Sequence, residues 1–327
     1  MIASLIVMTT EVIFAKTPKR EEIKITKLSE FETSQGVEQL TGRAYIVLPR
    51  NVTVYDRYKI QELFKPGDPV EIKAGYNGNI STIFRGYITM ISADIPLSIK
   101  CEDEMYKLKQ IPVSFASSNI SLKELISKIY SGKVNVLKDI EIGAVRLPNT
   151  TVAKVLEKLK DSPWNIRSFM DADTLIVGPA YSRFSSVSPV KIHLEKEIAQ
   201  NSLTYKENQF LNILIQAVNI NSNGKKTFKY EYGEKGGDEF KLTYYNRQNL
   251  KELVDDVIKD YQKKKTPGFD GDITMFGEPL VKIGQKVSLT SDIYPDRNGT
   301  YYIDGVDISF GPGGFRQKVK IGDKVIS

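Results

Sequence analysis

The chain has almost no sulfur nucleophile and almost no imidazole. Among 327 residues there is one cysteine, Cys101, and one histidine, His193. A single cysteine excludes a disulfide within the chain and points to folding in a reducing compartment. It also excludes the paired Cys/His spacings of a zinc site. The histidine alternates with Ile192 and Leu194 at what reads as a strand start, which fits a surface or packing role. A Ser-His-Asp arrangement therefore has little support. Long apolar runs are missing too, because a bilayer span needs about 20 residues. The apolar start, Met1 to Met8, lacks a basic leader and a small-residue cleavage site and reads as a buried strand. Charge of one sign is not in excess: 46 basic residues face 40 acidic ones, for a net charge of +6. With no dense arginine stripe, sequence-specific nucleic-acid binding is not indicated. Lys263-Lys264-Lys265 suits the solvated end of a helix that favours cations.

Groups that could do chemistry are equally sparse. Glu102-Asp103-Glu104 is the one tight carboxylate cluster. Glycosidic acid/base work needs two carboxyls facing one bond about 5–10 Å apart. Neighbours on a strand point to opposite faces, so the cluster reads as a charged strand end. Asp171 and Asp173 fall in a hairpin turn, where backbone geometry alone favours aspartate. Gly311-Pro312-Gly313-Gly314 lacks the Lys-Ser/Thr of a phosphate loop. Asn51-Val52-Thr53 and Asn119-Ile120-Ser121 match glycosylation triplets, which carry no weight without a secretion signal. The expectation is a structural protein with no catalytic residue, no metal and no cofactor.

What is present is β text. The length exceeds the roughly 250–300 residues at which one core stops growing, so two or three domains are expected. Seventeen tyrosines suit β-rich structure and wet interfaces. Residues 1–111 read as a first β block with no convincing helix. It has a turn at Pro66-Gly67-Asp68-Pro69 and a hairpin signal at Tyr76-Asn77-Gly78-Asn79. Residues 112–186 change character. Ser121-Leu122-Lys123-Glu124 is a capping box, Leu122, Leu125, Ile126 and Ile129 form a helical stripe, and Val152, Val155, Leu156 and Leu159 form a second. The count there is β-α-β-α-β-β. Residues 187–327 return to strands, including Phe210 to Ile215 and Lys225 to Tyr232, with a helical excursion near 246–266.

One pattern occurs in both β blocks. Gly67, Val70 and Ile72 lead through a turn to a strand containing Gly86. Gly284, Val287 and Leu289 lead to a strand containing Gly305. The spacing makes Gly67 equivalent to Gly284 and Gly86 equivalent to Gly305, as structural glycines of a duplicated unit. The resulting fold class is α+β, mainly β: two similar small, tube-like β-barrel domains with an α+β domain inserted between them.

Several segments carry a family resemblance. Phe84-Arg85-Gly86-Tyr87-Ile88, the alternating strand from Pro96 to the acidic Asp103, and Tyr106 to Leu108 resemble the late control protein D family of phage tail hubs. That family is related to the baseplate hubs of contractile phages and to the N-terminal part of type VI secretion spikes. Gly277 to Gly284, Gly299 to Ile303, Phe310-Gly311, Gly314-Phe315-Arg316 and Gly322 resemble its C-terminal signature. The resemblance implies a homotrimer whose paired β domains make a ring of six. It implies a tail tube protein on one side, a spike or tip on the other, and the tape measure protein as a further neighbour. It also implies a place in the virion tail, assembled in the host bacterial cytoplasm, with no stable membrane insertion. Two other classes stay open on the residues alone. A cell-wall hydrolase needs a catalytic domain for which the chain has little room. A carbohydrate-binding β module would use aromatics such as Tyr244, Tyr245, Tyr301 and Tyr302.

Overall fold

The computed structural model describes residues 6–18, 20–49, 63–92, 96–161, 164–179, 188–207, 212–221 and 223–325. The first unit contains β1 (Met8–Phe14), β2 (Ile23–Ile25), β3 (Glu30–Gly36), β4 (Arg43–Val47), β5 (Pro69–Tyr76), β6 (Asn79–Ile91) and β7 (Ser98–Glu102). Asn77 and Gly78 both have positive φ, 53° and 82°, as the tight turn between β5 and β6 demands. A short helix, α1 (Met105–Leu108), follows β7 where none was expected. The apolar start is not a buried strand where it is described: Ile6, Val7 and Met8 are exposed, and β1 begins only at Met8. Residues 1–5 and the Asn51-Val52-Thr53 triplet lie outside the described residues.

The middle block runs β8 (Pro112–Ser121), α2 (Leu122–Ile129), β9 (Lys133–Val136), β10 (Glu141–Thr151), α3 (Val152–Lys160), β11 (Ile166–Asp171) and β12 (Thr174–Pro179). The capping box forms as read: the Glu124 N–H donates to Ser121 Oγ, and Glu124 accepts from the Ser121 N–H. The two helical stripes meet in one apolar cluster, which also takes in Met105 and Leu108 of α1. The observed order has one strand more than the expected β-α-β-α-β-β. The extra strand is β10, whose alternation is broken by positive φ at Gly143 and Asn149 and by three irregularities in its ladder with β8.

The last block holds β13 (Val190–His193), β14 (Ile198–Asn201), β15 (Thr204–Lys206), β16 (Ile213–Ile220), β17 (Lys226–Gly233), β18 (Asp238–Tyr245), α4 (Leu250–Lys264), β19 (Gly268–Phe276), β20 (Lys286–Thr290), β21 (Gly299–Gly311) and β22 (Gly314–Lys324). The excursion is larger than 246–266. β17, β16 and β18 form a separate three-stranded sheet, with β18 parallel to β16. Leu253 and Val257 of α4 close its core against Ile213, Ile215 and Tyr244. The strands read from Phe210 to Tyr232 therefore belong to this inserted piece and not to the second β unit; residues 208–211 lie outside the described ones.

The remaining strands of both units form one fourteen-stranded sheet. Within it the units repeat each other over six strand positions, β2 having no counterpart. The first lays out β3, β4, β7, β6, β5, β1; the second lays out β14 and β15 together, then β19, β22, β21, β20, β13. One direction differs: β1 is antiparallel to β5, whereas β13 is parallel to β20. The ladders share one irregularity, although β21 against β22 has a second between Tyr301 and Ile303 and β5 against β6 has one between Ile72 and Lys73. β6 bulges against β7 between Ile88 and Met90, and β21 bulges against β22 between Ile303 and Gly305. The two units are joined where β21 pairs with β3, from Gly305 opposite Gly36 to Phe310 opposite Phe31. A single apolar cluster runs beneath both, with Phe31 stacked on Phe310 at 5.6 Å between ring centroids.

Candidate assembly interface

One face of this sheet buries the core, and the other is polar because side chains alternate along each strand. On the polar face, register sets residues of successive strands in rows. Lys318 lies opposite Asp307, Asp307 opposite Ser34, Ser34 opposite Arg43, and Arg43 opposite Glu102. The neighbouring row places Glu32 opposite Tyr45 and Tyr45 opposite Lys100. Acid and base thus alternate across the junction of the two units. Ion pairs extend the pattern, Lys318 to Asp272 at 3.2 Å and Lys109 to Glu102 at 2.8 Å. A groove of about 700 Å³ crosses this face, lined by residues of β22, β21, β3, β4, β7 and β6. Sequence reading missed the surface because the rows are assembled from strands far apart in the chain.

The four repeat glycines are not alike. Gly67 and Gly284 both have positive φ, 93° and 81°, and each donates its N–H to the second strand of its unit, to Ile88 O at 2.7 Å and Ile303 O at 3.0 Å. These two occupy the same place. Gly86 and Gly305 do not. Val70 faces Gly86, whereas Val287 faces Tyr301. The cause is the connection between the strands: Asn77-Gly78 joins a long hairpin in the first unit, and residues 291–298 join a short one in the second. Val70 and Gly86 stand 16 residues apart and Val287 and Tyr301 14, so the second connection is two residues shorter, and Gly305 lies four residues beyond Tyr301, the counterpart of Gly86. A Cβ on Gly86 would sit 2.0 Å from Glu102 O, while one on Gly305 would meet nothing closer than Lys320 Cβ at 3.4 Å.

The acidic run is also more than a charged strand end. Asp103 is 3% exposed. Its Oδ2 accepts the Gly42 N–H at 2.7 Å and its Oδ1 accepts the Met105 N–H at 3.0 Å. It ties the approach to β4 to the start of α1. Burial pushes its carboxyl up to about 7, outweighing the two N–H donors, which favour the charged form. Asp171 and Asp173 flank the β11–β12 turn and pair with Lys282 and Lys133 respectively.

His193 is mostly buried, with Nε2 3.1 Å from Asp292 Oδ1 and Nδ1 3.1 Å from Glu195 Oε2; the second contact is too poorly aligned for a hydrogen bond. The Ser291 hydroxyl donates to Glu195 and not to the ring, so the three do not form a hydrolase relay. That bond, with a further one from the Asp292 N–H, holds the Glu195 carboxyl below the usual range. The cluster fastens the 291–298 connection to the end of β13. The four tyrosines do not gather into a sugar site. Tyr301 is fully buried in the main core, Tyr302 is paired with Lys286 on β20, Tyr244 bonds Asp260, and Tyr245 bonds the Trp164 carbonyl. Among the described residues, no group of three or more His, Cys, Asp or Glu is placed to hold a metal ion. No helix among them is long and apolar enough to cross a membrane.

No protein-family model and no curated protein matches the chain. Solved structures do. A tail protein from Neisseria meningitidis superposes with a TM-score of 0.63 at 14% identity, over 97% of this chain and 96% of that one. The 43 kDa tail protein of prophage MuSo2 from Shewanella oneidensis gives 0.62 at 14% identity, over 96% and 98%. The E. coli c3393 protein, a type VI secretion component similar in structure to the T4 tail proteins gp27 and gp5, gives 0.54 at 11% identity, over 91% and 73%. At such identities the likeness is one of fold: the chain has, nearly end to end, the fold of these phage tail and secretion proteins.

Proposed function

We propose that the chain is a structural hub of a phage tail or a phage-derived injection machine. It acts as a homotrimer in which three pairs of similar β units make a pseudo-sixfold ring. The observation that carries this reading is the duplicated strand order, with the two units joined edge to edge through β21 and β3. Six near-equivalent blocks on three chains match a sixfold tube on one side and a threefold spike or tip on the other without further chemistry. In that ring the grooved polar face lines the lumen. Its alternating acids and bases let a polyanion or the tape measure protein pass without being held, since retention of nucleic acid rests on uncompensated cations. The work is mechanical, the partners are the tail tube protein and the spike or tip protein, and the site of action is the virion tail.

The domain division that accompanies this reading sets residues 1–111 and 187–327 as the two tube units and 112–186 as the domain between them. Sedimentation equilibrium of the purified chain tests the proposal. A mass three times that of one chain is expected; a monomer at every concentration, or a twofold assembly, rejects it.

A further inference from the structure

The junction within the chain specifies a second junction between chains. We infer that the outer flank of β6 beyond its bulge pairs, antiparallel, with β15 of a second copy of this protein. The inference rests on the trimer reading above and gives it a residue-level seam.

The bulges fix the correspondence. Ile88 faces Cys101 and Met90 faces Lys100 across one bulge; Ile303 faces Ile321 and Gly305 faces Lys320 across the other. Met90 is therefore the counterpart of Gly305, and Ile91 that of Val306. The opposite edge follows by stepping across the ladders. β7 leads to β4 and β3 in the first unit, and β22 leads to β19 and then to β14 and β15 in the second. By this path Ser34 corresponds to Thr204, Gln35 to Tyr205 and Gly36 to Lys206.

In the first of these settings the chain pairs with itself: Gly305 faces Gly36 and Val306 faces Gln35. In the second, the equivalent edges have no partner strand among the described ones. β5 leaves β6 at Tyr87, so no described strand lies along Met90 and Ile91 opposite β7. β14 and β15 end the sheet at its far side. The two edges bound a band of eight strand positions, and each presents what the other lacks. Met90 is 46% exposed although its counterpart Gly305 is covered by β3. Translating the internal register places Met90 opposite Lys206 and Ile91 opposite Tyr205 of the neighbour. Met90 then covers the aliphatic stem of Lys206, whose ammonium stays on Asp270 at 2.7 Å. Tyr205 arrives already packed, edge-on to Phe269 at 5.3 Å and under the Arg297 guanidinium at 4.8 Å. The contact is head to tail, the kind that makes a ring when its rotation closes, as the trimer reading requires, and it removes two open edges that would otherwise invite aggregation.

The internal seam also predicts how close the new one is. The Val37 N–H donates to Asp304 O at 2.9 Å, which puts Gly36 and Gly305 in the close, non-hydrogen-bonded setting of an antiparallel pair. Met90 and Lys206 inherit that setting, with Cα atoms roughly 4.5 Å apart, inside the range a disulfide spans.

The full-length double variant Met90→Cys, Lys206→Cys tests this directly, because the native Cys101 is buried and silent. Both substituted residues lie on sheet edges, and each single variant serves as the control for folding. Oxidation is expected to link chains covalently up to three and no further, while either single variant stays unlinked at those positions. Light scattering before oxidation separates the two layers of the argument. A trimeric mass without the crosslink overturns the seam and leaves the trimer standing. Crosslinked chains longer than three support the seam and overturn the closed ring. A monomer without crosslink overturns both. As a second variant, Met90→Lys sets like charges opposite each other and is expected to shift the mass from trimer toward monomer; an unchanged trimer overturns the seam.

Discussion

Gly86 and Gly305 look interchangeable in the sequence and are not in the fold. The Glu102 carbonyl stands where a Gly86 Cβ would go, so Gly86→Ala must push β6 away from β7. Loss of soluble protein or a Tm lower by many degrees is expected for it, against little change for Gly305→Ala, both read by thermal denaturation. Equal effects at the two positions would contradict the register. Asp103 makes a second residue-scale prediction. Its folded carboxyl is raised to about 7, above the unfolded value near 3.8. Its contribution to stability is thus fully present below about pH 4 and is lost as pH rises through 7. A carboxyl carbon titrating near 7 by NMR is expected; a midpoint in the ordinary carboxylate range contradicts the dominance of burial. Asp103 was visible as a strand-ending acid, but its burial comes from Gly42 and Met105 closing over it, which local pattern cannot foresee. Gln317 is a similar case. It lies fully buried, accepting from the Val281 N–H and donating to the Phe276, Gly277 and Pro279 carbonyls, though nothing in Phe315-Arg316-Gln317 marks it. Gln317→Leu is expected to cost ~1–3 kcal/mol for each group left unpaired, measured by urea denaturation.

Elements whose signals are local were the legible ones. The capping box at Ser121, both middle helices, the Asn77-Gly78 hairpin and the last strand pair around Gly311 to Gly314 all form where residue chemistry puts them. Ser121→Ala should therefore cost about 1 kcal/mol. β10 was lost because its breakers, Gly143, Pro148 and Asn149, sit inside the strand. The alternation of Phe240, Leu242 and Tyr244 in β18 is readable, but its parallel pairing with β16 is not, because parallel partners are not joined by a turn. The piece spanning 213–264 was consequently merged with the second β unit. Its removal makes an element-scale prediction. Lys206 faces Gly268 across the β15–β19 ladder, so the strands that flank the piece already stand as hairpin neighbours. Replacing residues 207–267 by Asn-Gly should leave a protein that unfolds in one transition by circular dichroism. Insoluble protein, or a chain without the β signal, would show that the inserted piece is needed for the second unit to fold.

At the scale of the molecule, duplication was readable from three residues per half, Gly67, Val70 and Ile72 against Gly284, Val287 and Leu289, because those residues share one hydrogen-bonded setting. The continuity of the two units in one sheet was not readable. It depends on β21 reaching past β20 to β3, a pairing separated by most of the chain. That continuity is what links the repeated unit to the proposed assembly, in which the joint within the chain would be the pattern for a joint between chains. The most direct measurement is the rotational symmetry of the assembled particle, seen end-on by electron microscopy. A ring of three copies is predicted, with six similar lobes at low resolution that separate into two alternating kinds as detail improves. A particle without threefold symmetry, or a threefold ring whose two lobes per copy do not match, would contradict it.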